Sequence, residues 1–374
     1  HIYGDTGYFD QPRSIDTTES KGFLLGGTVY TDENGYQFRV VKTDSLGNML
    51  WASKHGGAGE DYGYTVKLRY DSTIVLAGRT NSIGAGGWDG CVLHLDKDGG
   101  YINTYTYGSS KWERFRYISP TADSGFICGG EASIDRGNND TLDMYFVRLD
   151  KNFNQVWYRT YGGSEKDHCQ NVRELPDGNF IASGLTHSPE ICTGCGYKKP
   201  DAYFLKLDSG GDTLWTRHMG GHLWWEGYGN SFNSDGEYYM AGGGVNTPKF
   251  QALLMKFDSD GDTLIWREYG KGFIHEYTFD VMELPSGNIF SVGSTDMVDF
   301  NYRDSCNGYF VLSDSLGNII YEDKFGSLTG GEQIFDIAPV NGDTVAVCAI
   351  WDKGRSWDTD NNAQFCLMII DTRY

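Results

Sequence analysis

The stretch FLKLDSGGDTLW, residues 204–215, consists of two short apolar runs separated by a turn of Asp, Ser and Gly. Each run is too short for a helix, and its alternation matches the two-residue period of a β-strand. We expect a hairpin, because Asp208 can accept hydrogen bonds from backbone N–H groups two residues on and the glycines tolerate positive φ. The carboxylates of this turn are either turn formers or part of a ligand site.

Close variants of this hairpin recur along the whole chain. The aspartates that begin the turns are separated by 52, 54, 58, 50, 56 and 57 residues, so the chain contains seven copies. Each copy has four short strand signals joined by turns rich in Gly, Asp and Asn, which indicates antiparallel four-stranded sheets. Such sheets, repeated at a period of ~50 residues, predict a β-propeller. The aspartates are Asp44, Asp96, Asp150, Asp208, Asp258, Asp314 and Asp371.

The sequence predicts one domain, an all-β seven-bladed propeller over residues 1–374, whose ring is closed by its two ends. The last copy supplies three strands in residues 333–371, and no fourth strand follows. The N-terminal segment HIYGDTGYFDQ aligns with TYGGSEKDHCQ at 160–170 and so supplies the tail of a fourth strand. We expect this segment to pair with the C-terminal strand, which closes the ring without an open edge.

The composition argues against several classes of partner. The chain carries 31 basic and 51 acidic residues, a formal net charge of −20, whereas binding to nucleic acid or anionic membranes normally depends on basic patches. No apolar run reaches the ~18 residues of a transmembrane helix. We therefore expect no nucleic-acid binding and no membrane insertion. The first residues do not resemble a signal peptide, so we expect a processed or trimmed form.

The repeat resembles that of a known group of proteins. The pattern D-x-x-G-[ND]-x-[LI]-W, followed by Y-G-G, an acid, L-P-[DS]-G-N and a G-x-T-x-S-like stretch, is similar to the secreted propeller-repeat proteins common in Bacteroidota. Those proteins are typically exported by the type IX secretion route. The resemblance covers essentially all 374 residues and implies a secreted or cell-surface propeller, but no particular activity. Kelch repeats share the period, but in this chain a more regular glycine pattern follows the fourth strand, so the resemblance to kelch repeats is weaker.

Residues that recur in every copy serve packing and turns, whereas a ligand site uses residues that break the repeat. On this argument the turn aspartates form turns, and Trp51, Trp157, Trp215 and Trp266 of the fourth strands pack between blades. An acid also recurs at the start of each first strand. We interpret these acids as hydrogen-bond acceptors around one mouth of the central channel; the alternative is a ring that holds a cation. They are Asp10, Asp61, Glu113, Asp167, Glu226, Glu276 and Glu332.

The eight cysteines include five in predicted strands, where buried thiols are expected. Cys348 and Cys366 lie on consecutive strands of the last copy and either face each other or remain apart. Cys192 and Cys195 form a single CxxC, which without a second pair is poor evidence for zinc. A local disulfide fits a secreted protein, and two free thiols are the alternative. We expect no metal site and no cofactor.

Six tryptophans outside the fourth strands fall in connections that we expect on one face of the ring. Aromatic rings beside Asp, Arg and His are typical of a carbohydrate-binding surface, where the rings stack on sugars. Packing of the loops themselves, or a protein interface, is the alternative. The predicted ligand-binding residues are Trp88, Trp112, His222, Trp224, Trp225, Trp351, Asp352, Arg355, Trp357 and Asp358.

The sequence favours a binding module over an enzyme, because it contains no recognisable catalytic signature. The predicted function is a secreted or cell-surface propeller that binds a glycan or a surface protein through its aromatic loop face. The alternatives are a polysaccharide lyase or glycosidase, or a structural subunit of a larger surface assembly. A carboxyl pair or a His–Tyr–Arg cluster in a deep cleft would favour the enzyme. Its candidate groups are Glu113, Asp167, Glu226, His168, His222, His275, Asp352 and Asp358.

Overall fold

The computed structural model describes residues 1–373 except 5–9, 136–139, 193–198, 221–224, 246–249, 271–274, 298–305, 327–330 and 353–362. The described residues form twenty-eight β-strands, which group into seven antiparallel sheets of four strands each. The predicted seven-bladed propeller is therefore confirmed. In this part of the chain, no helix has the length and hydropathy needed to cross a membrane.

Within each blade the first strand, strand A, borders the central channel and the fourth, strand D, is outermost. The first blade contains β2 (Asp10–Thr17), β3 (Phe23–Thr31), β4 (Gly35–Thr43) and β5 (Met49–His55). The second contains β6 (Asp61–Leu68), β7 (Ile74–Thr80), β8 (Asp89–Leu95) and β9 (Tyr101–Tyr107). The third contains β10 (Glu113–Pro120), β11 (Phe126–Asp135), β12 (Asp140–Leu149) and β13 (Gln155–Tyr161).

The next three blades repeat this order. The fourth contains β14 (Asp167–Glu174), β15 (Phe180–Thr186), β16 (Asp201–Leu207) and β17 (Thr213–Met219). The fifth contains β18 (Trp225–Phe232), β19 (Tyr238–Val245), β20 (Phe250–Phe257) and β21 (Thr263–Tyr269). The sixth contains β22 (His275–Glu283), β23 (Ile289–Met297), β24 (Asn307–Ser313) and β25 (Ile319–Phe325).

The seventh blade is built from both ends of the chain, as predicted. Its strands A, B and C are β26 (Gln333–Asn341), β27 (Thr344–Asp352) and β28 (Ala363–Asp371), and its strand D is β1 (Ile2–Tyr3). Ile2 lies opposite Cys366, and His1 exchanges backbone hydrogen bonds with Leu367. The edge of the last sheet is thereby paired within the chain.

Polar side chains of the inner strands link neighbouring blades around the channel. Ser14 Oγ of the first blade accepts a hydrogen bond from the Val66 backbone N–H of the second at 2.7 Å. An Asp336 oxygen of the seventh blade accepts one from the Ile15 N–H of the first at 2.9 Å. Because these bonds satisfy buried N–H groups between sheets, they fix the rotation of one blade against the next.

The turn aspartates and the strand D tryptophans have the structural roles that the repeat predicts. One Asp208 oxygen accepts the backbone N–H groups of Gly210 and Asp212 at 2.9 and 2.8 Å. The indole of Trp157, on strand D of the preceding blade, donates to the Ser209 carbonyl of this turn at 3.1 Å. Gly211 has a φ of +88°, and a Cβ there would lie 3.1 Å from the Trp157 ring. The turn thus both reverses the chain and packs against the neighbouring blade.

Replacement of Gly211 by Ala is expected to destabilise the fold by about 1 kcal/mol more than the same change at Gly178. Both glycines have positive φ, so each alanine carries the left-handed backbone penalty of about 1–2 kcal/mol. Only the alanine at 211 meets Trp157 and Arg159, whereas a Cβ at 178 has nothing within 4 Å. Chemical denaturation of the two variants measures the difference, and equal losses would contradict the interblade role of this turn.

The described cysteines comprise six buried thiols and one disulfide-bonded residue. Cys348 and Cys366 are buried and free, so a bond between them is excluded. Cys348 lies opposite Leu367, one residue out of register with Cys366, and successive side chains of a strand point to opposite faces. Cys192 is disulfide-bonded. Its predicted partner, Cys195, lies outside the described residues.

Candidate functional site

The central channel opens into a cavity of about 460 Å³ whose wall takes residues from the inner strands of all seven blades. Each inner strand contains a β-bulge, and the bulge residue lies three positions after the repeated acid. A bulge interrupts the pleat and changes the direction in which one side chain points. The seven residues at this position all line the cavity: Arg13, Tyr64, Arg116, Gln170, Gly229, Phe279 and Phe335.

Tyr64 lines the cavity, is in hydrogen-bond contact with Arg114 and is influenced by the charges of three further arginines. Its burial alone would raise the pKa of the phenol, but the positive charges of Arg114, Arg79, Arg116 and Arg13 outweigh burial and lower the pKa below its ordinary value. The phenol of Tyr64 therefore ionises more readily than that of an ordinary tyrosine. A tyrosine in this state is suited to accept a proton from a bound molecule.

Glu131 of β11 holds the arginine cluster together. Its side chain is 0% exposed, and it pairs with Arg114 and with the Nε of Arg116, the latter at 2.6 Å. The same carboxylate lies 2.9 Å from His168 Nδ1 on the next blade. Although burial opposes ionisation, the adjacent cations hold the pKa of Glu131 well below its usual range. Because Nδ1 faces Glu131, the other ring nitrogen of His168, a cavity-lining residue, remains for a bound molecule.

Trp88 and Trp112, two of the predicted ligand-binding residues, meet beside this cluster. They form a parallel bridge between the second and third blades, and both are partly exposed. The guanidinium of Arg79 lies over both rings, and that of Arg114 lies 5.1 Å from the Trp112 centroid. The structure therefore places these two indoles next to the arginines.

The other predicted site residues do not join this cluster in the described part of the chain. Trp225 is 3% exposed and packs against Trp266, so its prediction as a loop residue that contacts ligand is wrong. Trp351 lies inside β27 and packs on Phe325, so its loop placement is also wrong. Both residues extend a strand where the sequence predicts a loop. Outside the described residues lie His222, Trp224, Arg355, Trp357, Asp358 and the side chain of Asp352.

The seven repeated acids are all buried at the start of the inner strands. Asp61 accepts hydrogen bonds from the Gly57 backbone N–H and from the hydroxyls of Ser82 and Thr80. Asp167 accepts the corresponding bonds from Gly163 and Ser188. These contacts tie the connection between blades to the inner strand and support the interpretation as structural acceptors. Among the described residues, no group of three or more His, Cys, Asp or Glu is arranged to hold a metal ion.

Replacement of Asp61 by Ala is expected to lower the free energy of unfolding by about 1–3 kcal/mol, because it leaves buried donors unsatisfied. Asp61→Asn keeps an acceptor oxygen at the same place and is expected to cost less. Chemical denaturation with and without a chelator separates this role from the cation alternative. A chelator that destabilises the wild type as much as the alanine does would argue for a bound cation.

The cavity cluster was missed by the sequence analysis, although the sequence carries a signal for it. The loop tryptophans were predicted as ligand contacts because strand alternation does not explain their positions. Three residues after each repeated acid, the seven blades hold five different residue types, and Arg13, Tyr64, Arg116 and Gln170 are the polar ones. The bulge hid this position, because simple alternation does not show that its side chain faces the channel.

No family model matches the chain, and no curated protein is similar to it in sequence. Among solved structures, a PL25 ulvan lyase matches with a TM-score of 0.62 and 11% identity over 98% of this chain and 96% of that chain. A structure of a PL25 ulvan lyase bound to -[GlcA(1-4)Rha3S]- matches with a TM-score of 0.61, 11% identity and coverage of 98% and 95%. The Pan2 WD40 domain of Neurospora crassa matches with a TM-score of 0.54, 11% identity and coverage of 100% and 98%. At these identities the similarities show the β-propeller fold and no activity.

Proposed function

We propose that the protein is a polysaccharide lyase that cleaves a uronate-containing glycan by β-elimination in the central cavity. The observation that carries the proposal is that Tyr64 and His168 line the same cavity, Tyr64 in contact with Arg114 and His168 in contact with Glu131. The charges of four arginines also lower the pKa of Tyr64. Proton abstraction next to a carboxylate needs a base, a cation that binds the carboxylate and a proton donor. The cluster supplies all three types of group.

The arginines are suited to bind the uronate carboxylate. Arg13 and Arg116 both line the cavity, and a guanidinium binds a carboxylate through two parallel hydrogen bonds. When the proton on C5 of the uronate leaves, negative charge spreads onto that carboxylate. Fixed positive charge at this place stabilises the developing charge more than it stabilises the ground state. A cluster of arginines in a protein of net charge −20 also selects an anionic polymer locally.

Tyr64 and His168 divide the proton transfers in this mechanism. The Tyr64 phenolate takes the C5 proton, and the electron pair left on C5 forms the C4–C5 double bond as the C4–O bond breaks. The leaving oxygen takes a proton from His168, whose ring is held in place by the contact of its Nδ1 with Glu131 at 2.9 Å. The products are an unsaturated uronate and a new sugar hydroxyl, so no water is consumed.

The structure gives less support to a glycosidase. Among the carboxyls that line the cavity, Asp280 and Asp336 lie within hydrogen-bond contact of each other. Hydrolysis requires two carboxyls roughly 5–10 Å apart. Asp280 and Asp336 also accept backbone N–H groups of the next blade, from Ile337 and Ile15. These contacts assign the pair to the ring that joins the blades.

A polymeric substrate is consistent with a secreted or cell-surface location, which we also propose. The disulfide at Cys192 supports this location, because disulfides persist mainly in oxidising compartments. The ligand of the similar lyase complex makes glucuronate linked to a sulfated rhamnose the first substrate to test.

The proposal is tested by incubating the protein with ulvan, chondroitin, alginate and polygalacturonate and recording the ultraviolet absorbance of the C4–C5 double bond. Cleavage of at least one polymer with formation of unsaturated ends is expected. New reducing ends without that absorbance would indicate hydrolysis and overturn the lyase assignment. Binding without cleavage would instead support the binding module predicted from the sequence.

A further inference from the structure

Beside the cavity, the side chain of Arg79 is enclosed by aromatic rings. Its guanidinium carbon lies 4.5 Å from the ring centroid of Tyr62, 4.3 Å from that of Trp88 and 5.7 Å from that of Trp112. Arg79 and Tyr62 are directly opposite on β7 and β6. The rings hold the planar cation in a defined orientation through cation–π contacts.

Arg79 forms no ion pair with a carboxylate in the described part of the chain. Within the described ranges, neither a carboxylate nor another hydrogen-bond acceptor contacts its guanidinium, and its Nε is buried without a partner. By contrast, Arg114 and Arg116 share the Glu131 carboxylate. Partly buried cations are normally paired, because an unmatched charge away from water is costly. A guanidinium that is oriented and unpaired has the properties of an anion-binding group.

We propose that Arg79 binds an anionic substituent, a sulfate ester or a carboxylate, on the sugar adjoining the one that is cleaved. This assignment rests on the lyase function proposed above. Tyr62 and Tyr64 are two residues apart on β6, so their Cα atoms lie at most roughly 7 Å apart, which is about the length of one sugar unit. The partly exposed rings of Trp88 and Trp112 supply apolar contact surface for the same sugar. The enzyme would thus select polymers that carry charge on both sugars around the cleaved bond.

The test measures binding in a Tyr64→Phe background, so that cleavage does not affect the result. Isothermal titration compares native ulvan with desulfated and with carboxyl-reduced ulvan. Arg79→Gln is expected to raise the Kd for native ulvan about tenfold or more, as for loss of a charged hydrogen bond. The effect of the substitution should disappear with the desulfated polymer, because the sugar that adjoins the uronate in this repeat carries its charge as a sulfate ester. If the effect disappears only with the carboxyl-reduced polymer, Arg79 binds the cleaved uronate itself and the proposal is overturned.

Two further variants make the result specific. Arg159→Gln is a matched control. Arg159, on the outer strand β13, also lies over an indole, 5.7 Å from the ring centroid of Trp157, but it pairs with Asp212. The Kd of this variant should equal that of the Tyr64→Phe background. Arg79→Lys keeps the charge without the planar fork and should lose part of the affinity. The proposal is overturned if native ulvan is not bound, if Arg79→Gln binds it unchanged, or if the substitution weakens all three polymers equally. If the wild-type protein does not cleave ulvan but the Tyr64→Phe protein binds it in an Arg79-dependent way, only the lyase mechanism is contradicted.

Discussion

Replacement of Tyr64 by Phe is expected to reduce kcat on the best polymer by roughly 10²–10⁴-fold, the usual effect of removing a general base. The substitution removes only the phenolic oxygen, so the four arginines and the cavity shape remain. Substrate binding should therefore change much less than turnover. The measurement is the initial rate of unsaturated uronate formation at saturating and limiting polymer concentrations.

Tyr158→Phe provides the matched control for this result. Tyr158 is an exposed tyrosine of β13, on the outermost strand of its blade, and its hydroxyl loss should leave the rate unchanged. If Tyr64→Phe retained more than about a tenth of wild-type turnover, the phenolate could not be the principal base.

The pH dependence gives a second readout for Tyr64. The rate should rise with pH as the phenol ionises. The midpoint of this rising limb of the pH–rate profile should lie below the ordinary tyrosine pKa of 10.0, because the arginines lower the pKa of Tyr64. Arg114→Gln removes the first of these charges and should move the limb to higher pH. A limb that did not move would show that these arginines do not control the ionisation of the base.

Replacement of Glu131 by Gln is expected to destabilise the protein by about 3 kcal/mol. Breaking a buried ion pair typically costs about 3–5 kcal/mol, and the lower end applies here because the Arg114, Arg116 and His168 side chains remain 15%, 25% and 16% exposed. Asp123→Asn is the control. Asp123 pairs with Arg148 but is 64% exposed, so its loss should cost at most about 1 kcal/mol. Similar losses for the two variants, measured by chemical denaturation, would contradict the central role of Glu131.

The stability of the wild type should also depend on pH through Glu131. Its pKa in the folded state lies well below the ordinary value of 4.5. Its contribution is therefore fully present above pH 4.5 and is lost as the pH falls through the folded-state pKa. The difference in unfolding free energy between wild type and Glu131→Gln should shrink in this acidic range. A difference that stayed constant with pH would show that the carboxylate charge is not what stabilises the cluster.

The comparison of repeated and unrepeated residues worked for packing and only partly for the site. It correctly assigned Asp208 to a turn and Trp157 to interblade packing, because both roles depend on contacts that recur in each blade. It also led to Trp88 and Trp112, which lie beside the arginine cluster. It failed for Trp225, since being unique in the repeat does not distinguish a ligand contact from a local change in packing.

The sequence by itself determined the number of blades, the four strands of each blade, the turn chemistry and the closure of the ring through residues 1–3. These features depend on alternation and turn residues within a few positions of one another, which a one-dimensional pattern records. Only the tertiary structure decided that Tyr64, Arg116, Glu131 and His168 meet at one cavity. These residues come from three blades, and bulges, which strand alternation does not reveal, turn the side chains of Tyr64 and Arg116 toward the channel. Convergence of this kind is set by the curvature of the closed ring, which brings together inner strands that lie about fifty residues apart in the chain.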